Sequence, residues 1–154
     1  MADNFFQFEQ DFVASLRCIP MLVRMKLDTC GVKLKLTHWH QLDQTERQNL
    51  VTWPCTTPAE AEHYRQQLQA LLQAKMGKPA GELPLDPQPT WLIEDHIPDS
   101  VQQKTQELRS PLSLTEWQNL EPIQRFALIK LSRANHENAN FLPALTEFQL
   151  YPLE

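Results

Sequence analysis

A stretch of 32 residues in this chain recurs in diverged form. IPMLVRMKLDTCGVKLKLTHWHQLDQTERQNL, residues 19–50, aligns without a gap on IPDSVQQKTQELRSPLSLTEWQNLEPIQRFAL, residues 97–128, after a shift of 78 positions. Eleven of the 32 pairs are identical, among them Pro20/Pro98, Leu36/Leu114, Thr37/Thr115, Trp39/Trp117, Leu42/Leu120, Arg47/Arg125 and Leu50/Leu128. Two helical hairpins that had merely converged would share apolar spacing. They would have no reason to share Thr, Trp and Arg in register. The expected fold is therefore two copies of one unit, each burying its apolar face.

The unit reads as helical. Leu occurs 23 times against 10 for Ile and Val together, and only three Gly are present, so the β-branched residues that favour strands are scarce. In the first copy Pro20 opens a helix and Gly31 ends it in a left-handed turn, with Leu22, Met25 and Thr29 expected on its core stripe. An L-x-L connector follows, then a helical turn capped by Thr37, then a helix starting at a capping box, Asp43-x-x-Glu46, and running to about Trp53. Pro122 would break a helix running on from Thr115 but fits the first turn of a new one, so the second copy is divided at the same place. Each copy closes with a further helix. One begins at Thr57-Pro58, with Ala61, Tyr64, Leu68, Leu71 and Leu72 on one face, and the other begins at about Asn135. Phe5, Phe8, Phe12 and Leu16 predict an added N-terminal helix over Phe5 to Arg17. GKPAGELPLDPQP, with four Pro and two of the three Gly, is a linker. The expectation is one all-α helical domain over 1–154, with repeat halves at about 19–76 and 97–150 and a linker at 77–90. Trp39 and Trp117 should pin equivalent helix junctions, while Trp53 and Trp91 are freer to face a surface.

Composition excludes several function classes. The 14 Lys and Arg against 19 Asp and Glu give a net charge of −5, and a pI near 5.5 argues against general nucleic-acid binding. No apolar run has the length of a membrane span, and MADNFFQFEQDF lacks the basic start and apolar core of a signal peptide. A cytoplasmic protein with reduced thiols is expected. Cys18, Cys30 and Cys55 with His38, His40 and His63 supply ligand atoms but no metal spacing: there is no C-x-x-C, and His38 and His40 would diverge on a helix. No metal or cofactor is expected, and the thiols read as buried structural groups. No nucleophile elbow or phosphate-cradling Gly loop is present, so no catalytic residues are assigned and an enzyme is disfavoured.

Charge is unevenly spread. Residues 17–35 carry Arg17, Arg24, Lys26, Lys33 and Lys35 against Asp28 alone, whereas residues 82–99 carry Glu82, Asp86, Glu94, Asp95 and Asp99 and no base. Two readings follow: the acidic linker folds onto the basic helix, or the basic helix faces an acidic partner.

The motifs Arg17 to Asp28 (RCIPMLVRMKLD) and His136 to Phe141 (HENANF), set in FEQDFVASLRCIPMLVRMKLDTCGVKLKLTHW and QRFALIKLSRANHENANFLPALTEF, are not demanded by amphipathicity. Through them the chain resembles the nitrate reductase-associated protein family of oxygenic photosynthetic bacteria, over nearly its whole length. The resemblance implies a small cytosolic protein required for active assimilatory nitrate reductase, a ferredoxin-dependent enzyme with a molybdopterin-type cofactor and an iron–sulfur cluster. Nitrate reductase is then the expected protein partner, with no nucleic acid and no membrane. Arg17, Arg24, Lys26, Asp28, His136, Glu137 and Asn138 are the expected partner-binding residues. Three roles fit: an assembly chaperone for the apo-reductase, a carrier or maturation factor for the molybdenum cofactor, or a stable non-catalytic subunit. For the carrier, Cys18 beside Arg17, Arg24 and Lys26 is the one suitable cluster.

Overall fold

The computed structural model describes residues 5–13, 15–133 and 138–151. The chain is mostly helical, as the Leu excess requires, with one two-stranded pairing among the described residues. Contacts divide it into two compact units, one reaching to Asp86 and the other starting at Pro87, so the division falls inside the Pro-rich linker.

The first unit opens with a 3₁₀ turn, Gln7–Glu9, and a single helical turn α1, Gln10–Val13. The helix expected to reach Arg17 stops short, and by Leu16 the backbone is left-handed at φ 59°. Glu9 explains the early stop. Its buried carboxylate accepts from the backbone N–H of Phe6 (3.0 Å) and of Met21 (3.1 Å), tying the segment to the start of the next helix. That helix, α2, spans Met21–Cys30 between Pro20 and a left-handed Gly31 at φ 80°. Pro20 has no side chain with which to cap it. Glu9 does so from eleven residues upstream of Pro20, with its negative charge at the positive end of the helix dipole.

The buried residues of α2 are Met21, Val23, Leu27 and Cys30. This corrects the expected stripe of Leu22, Met25 and Thr29: the i, i+4, i+7 row that faces inward is Val23, Leu27, Cys30, and Leu22 only packs at the edge of the core. Short strands β1, Val32–Lys33, and β2, Gly81–Glu82, pair antiparallel with Val32 opposite Glu82. Gly31 sits directly beside them. Its carbonyl accepts from Leu83 N (2.8 Å), and a Cβ at this position would lie 2.8 Å from the Leu83 carbonyl oxygen. The first part of the linker is thus held against the end of α2 by backbone pairing.

Three further helices complete this unit: α3, Leu36–Gln41; α4, Gln44–Thr52; and α5, Pro58–Met76. The capping boxes at Asp43/Glu46 and Thr57/Glu60 form as expected, whereas α3 starts after Lys35, two residues before the expected Thr37 cap. Tyr64, Leu68 and Leu72 of α5 join Val23, Leu27, Trp39, Leu50 and Val51 in one core.

In the second unit a 3₁₀ turn, Thr90–Leu92, precedes α6, Asp99–Glu107; α7, Leu114–Asn119; and α8, Pro122–Arg133. Pro122 begins a new helix, as its missing N–H demands. A 3₁₀ turn, Asn138–Asn140, leads into α9, Phe141–Glu147; the expected helix start at about Asn135 lies outside the described residues. Val101, Trp117, Phe126, Leu128, Leu131, Phe141 and Leu145 are buried here.

Candidate functional site

Each unit contains a Trp–Arg junction, and in both the polar atoms are used internally. In the first, the Trp39 indole N–H donates to the Leu16 carbonyl (2.8 Å). Arg47 spreads its guanidinium over the carbonyls of Trp39 (3.1 Å), Leu16 (3.2 Å) and His40 (3.2 Å). The left-handed turn at Leu16 presents the carbonyl that both side chains use. In the second, the Trp117 indole donates to Ile93 O (3.0 Å), and Arg125, 3% exposed, donates to the carbonyls of Trp91 (2.7 Å), Trp117 (3.3 Å) and Leu120 (2.6 Å). Glu94 lies 3.9 Å from that guanidinium. A planar cation with five donors suits such carbonyl clusters, where an ammonium would leave acceptors unmet. Trp53 and Trp91 are half-buried, packed edge-on against Tyr64 and Phe126 respectively.

The expected basic face of α2 loses one member. Lys26 turns inward, donating to the carbonyls of Val51 and Trp53 (2.6 Å each), so its ammonium satisfies the C-terminal end of α4 and meets the negative end of that helix dipole. Burial lowers its pKa, with Cys55 and Glu60 opposing. The cofactor cluster of Cys18, Arg17, Arg24 and Lys26 is correspondingly reduced. Near Lys26 the thiols of Cys30 and Cys55 each donate to a carbonyl of α2: Cys55 to that of Lys26 (3.5 Å), Cys30 to that of Leu27 (3.7 Å). The neighbouring Cys55 and then burial push the Cys30 thiol up. The neighbouring Cys30, with help from Lys26, holds Cys55 below the ordinary thiol value.

What remains outside is a cationic surface with an apolar centre. Arg17 is exposed, and its carbonyl accepts from His40 Nε2 (3.1 Å), which sets it beside α3. Lys35 precedes α3, and its backbone N–H donates to His38 Nδ1 (3.0 Å). His38 is therefore neutral in this arrangement, and its pKa is lowered first by burial and then by the charges of Lys35 and Lys78. Leu36 is 48% exposed between these groups. Arg24 and Asp28 are half-buried on α2. His136 and Glu137 lie outside the described residues. Asn138 opens the 3₁₀ turn before α9, and its side chain is also outside them. Arg17 and Lys35 are legible in the sequence as charges, whereas His38, His40 and Lys78 join them only through the placement of α3. Among the described residues no group of three His, Cys, Asp or Glu is placed to hold a metal ion, and no helix is long and apolar enough to cross a membrane.

The class is thus a two-unit helical protein whose interior cations brace backbone carbonyls and whose first unit presents a cationic surface. The family model described as conserved nitrate reductase-associated protein matches residues 5–148, and the chain belongs to that family. No curated protein and no solved structure matches it.

Proposed function

We propose that this chain is a cytoplasmic, non-catalytic accessory factor that binds assimilatory nitrate reductase and supports formation of the active molybdoenzyme. The observation that carries the reading is membership of the nitrate reductase-associated family over 144 residues, 5–148. The cationic surface around α3 supports it, because exposed Arg17 and Lys35 flanking Leu36 offer an acidic partner both steering charge and an apolar contact. Arg24 and Asp28 on α2, with the His136-Glu137-Asn138 motif, extend the proposed contact. Binding of purified apo-reductase to the parent and to an Arg17→Glu, Lys35→Glu variant tests the surface. The variant should keep its helical signal and thermal midpoint, bind the reductase more weakly, and show a smaller loss of affinity as salt rises. Unchanged affinity in a folded variant removes this surface. Molybdenum travelling with the free chain would instead favour a cofactor carrier, and retention in the active complex a stable subunit.

We further propose that the two halves are diverged copies of one unit. Helix starts support this: Met21 and Asp99, Leu36 and Leu114, and Gln44 and Pro122 are each 78 residues apart. So are left-handed Gly31 and Arg109, which follow α2 and α6. The Trp–Arg pairs support it too, since Arg47 and Arg125 each bond the carbonyl of the Trp eight residues earlier. Superposition of residues 19–50 on 97–128 in an experimental structure tests it, and divergent backbone paths would end it.

A further inference from the structure

Eleven identities link residues 19–50 with 97–128, and nine of them fall on positions that are buried or half-buried in both units, where packing accounts for them. The other two are adjacent. Leu36/Leu114 and Thr37/Thr115 open α3 and α7 and are exposed in both units, the leucines at 48% and 42%. One exposed Leu needs no explanation, but the same one at equivalent places in two diverged units does. The helix starts do not require it. Their caps are closed by other residues, with Lys35 N–H donating to His38 Nδ1 (3.0 Å) and Ser113 N–H to Glu116 Oε1 (3.0 Å).

Charge is opposite at the two corners. Arg17 and Lys35, both exposed, stand at the start of α3, where His40 Nε2 meets the Arg17 carbonyl (3.1 Å). Shifted by 78 positions, Asp95 stands for Arg17, Ser113 for Lys35 and Glu116 for His38. The Trp117 indole donates to the Ile93 carbonyl (3.0 Å), which ties the segment carrying Glu94 and Asp95 to α7. In that segment Leu92, 53% exposed, lines a groove of about 600 Å³ together with Ile93, Glu94 and Asp95. Among the described residues Arg17, Lys35 and Asp95 form no ion pair. Glu94 has Arg125 at 3.9 Å, but that cation is buried and already turned onto three carbonyls.

We propose that the chain binds a second copy of itself, the cationic corner at Leu36 docking on the acidic face that the partner copy forms from the start of α7 and the Leu92–Asp95 segment. The choice of faces rests on the reading of the two halves as diverged copies. Electrostatics select the pairing. Two Leu36 corners brought together would set Arg17 and Lys35 against like charges, and two Leu114 corners would set carboxylates against carboxylates. Unlike corners attract, with Arg17 and Lys35 facing Glu94, Asp95 and Glu116. Each also brings an exposed Leu, so the contact has an apolar centre inside a charged rim, and the groove offers Leu36 a wall of Leu92 and Ile93. Such a contact is heterologous: each copy presents one face of each kind.

The test uses the full chain, purified alone. Sedimentation velocity over a concentration series should show association that grows with concentration and weakens as salt rises. Zero-length carbodiimide cross-linking of an equal mixture of unlabelled and heavy-isotope-labelled chains should yield peptides joining Lys35 to Glu94, Asp95 or Glu116, with one peptide of each label. Two variants then separate the faces: Arg17→Gln, Leu36→Ser removes the cationic corner, and Asp95→Asn, Leu114→Ser removes the acidic one. Each, folded by circular dichroism, should be monomeric alone, and mixing them should restore association because the mixture keeps one intact face of each kind. A parent that stays monomeric throughout, a Lys35 cross-link confined to a single chain, either variant associating as the parent does, or a folded mixture that stays monomeric would each overturn the proposal. The parent's sedimentation and isotope map decide this whether or not the variants fold. Superposition of the halves tests their ancestry separately, and since no reductase is present the result is independent of whether the chain binds nitrate reductase.

Discussion

At the scale of single residues, the cations that matter most to the fold are those that meet carbonyls. Arg125 is buried and serves Trp91, Trp117 and Leu120 at once, so Arg125→Lys, which keeps the charge but loses the planar fork, should lower stability by about 2–3 kcal/mol. Arg47 makes the corresponding bonds from a half-buried position where water can replace some of them, and Arg47→Lys should cost only about 1 kcal/mol. Urea unfolding of the two variants checks the order, and equal losses would mean that burial does not set the cost. His38 sets a pH dependence. Burial, then Lys35 and Lys78, hold its folded pKa below the ordinary 6.5, so the unfolded chain takes up a proton first as pH falls. Its contribution is therefore complete above that ordinary value and is lost as pH drops toward the depressed folded value. The stability advantage of the parent over His38→Gln should shrink on going from neutral to mildly acidic pH, as followed by denaturant midpoints; an advantage that grew would contradict the neutral, Nδ1-accepting ring.

At the scale of elements, what could be read from the sequence is what local chemistry decides. Asp43/Glu46 and Thr57/Glu60 close capping boxes, Pro122 starts a helix, and Gly31 ends one, because each choice depends on residues within a turn. The features that escaped depend on residues distant in sequence. Nothing near Pro20 signals that Glu9 caps α2, so the apolar spacing alone predicts too long an N-terminal helix. The sequence points to a stripe of Leu22, Met25 and Thr29 on α2 because nothing local says that the core lies on the side of Val23, Leu27 and Cys30, where α4 and α5 arrive. Lys26 reads as a surface charge in the sequence and is instead the brace of α4. Gly31 carries a second, tertiary constraint that can be separated from its local one. Gly31 and Gly77 share φ 80°, but a Cβ on Gly77 meets nothing within 4 Å, whereas one on Gly31 meets the Leu83 oxygen at 2.8 Å and Leu85 Cδ2 at 2.9 Å. Gly77→Ala should therefore cost only the left-handed strain, about 1–2 kcal/mol. Gly31→Ala should cost about 1–3 kcal/mol more, because the β2 segment must move away. Thermal denaturation of the two variants compares them directly, and equal losses would show that the linker yields freely.

At the scale of the whole molecule, each unit closes its own core and keeps its own Trp–Arg junction. Trp39 and Arg47 find every partner named above before Asp86, and Trp117 and Arg125 find theirs after Pro87. Charge is divided unequally: residues 1–86 carry 9 Lys and Arg against 10 Asp and Glu, and residues 87–154 carry 5 against 9. The cationic surface thus belongs to a nearly neutral unit, and most of the net negative charge to the other. A chain whose core is complete within 86 residues meets the size at which a single core can hold a fold, whereas the 68 residues from Pro87 onward are closer to the lower limit. The fragment 1–86 should therefore be helical alone, melt in one cooperative transition, and keep the Trp39 indole N–H protected from exchange, since its acceptor Leu16 O is in the same fragment. The fragment 87–154 should be helical but melt at a lower temperature. Circular dichroism and indole hydrogen exchange on the two fragments provide the check. A fragment 1–86 that is unfolded, or that exchanges its Trp39 indole at the rate of a free peptide, would show that this core does not stand alone and that the two units act as one cooperative body.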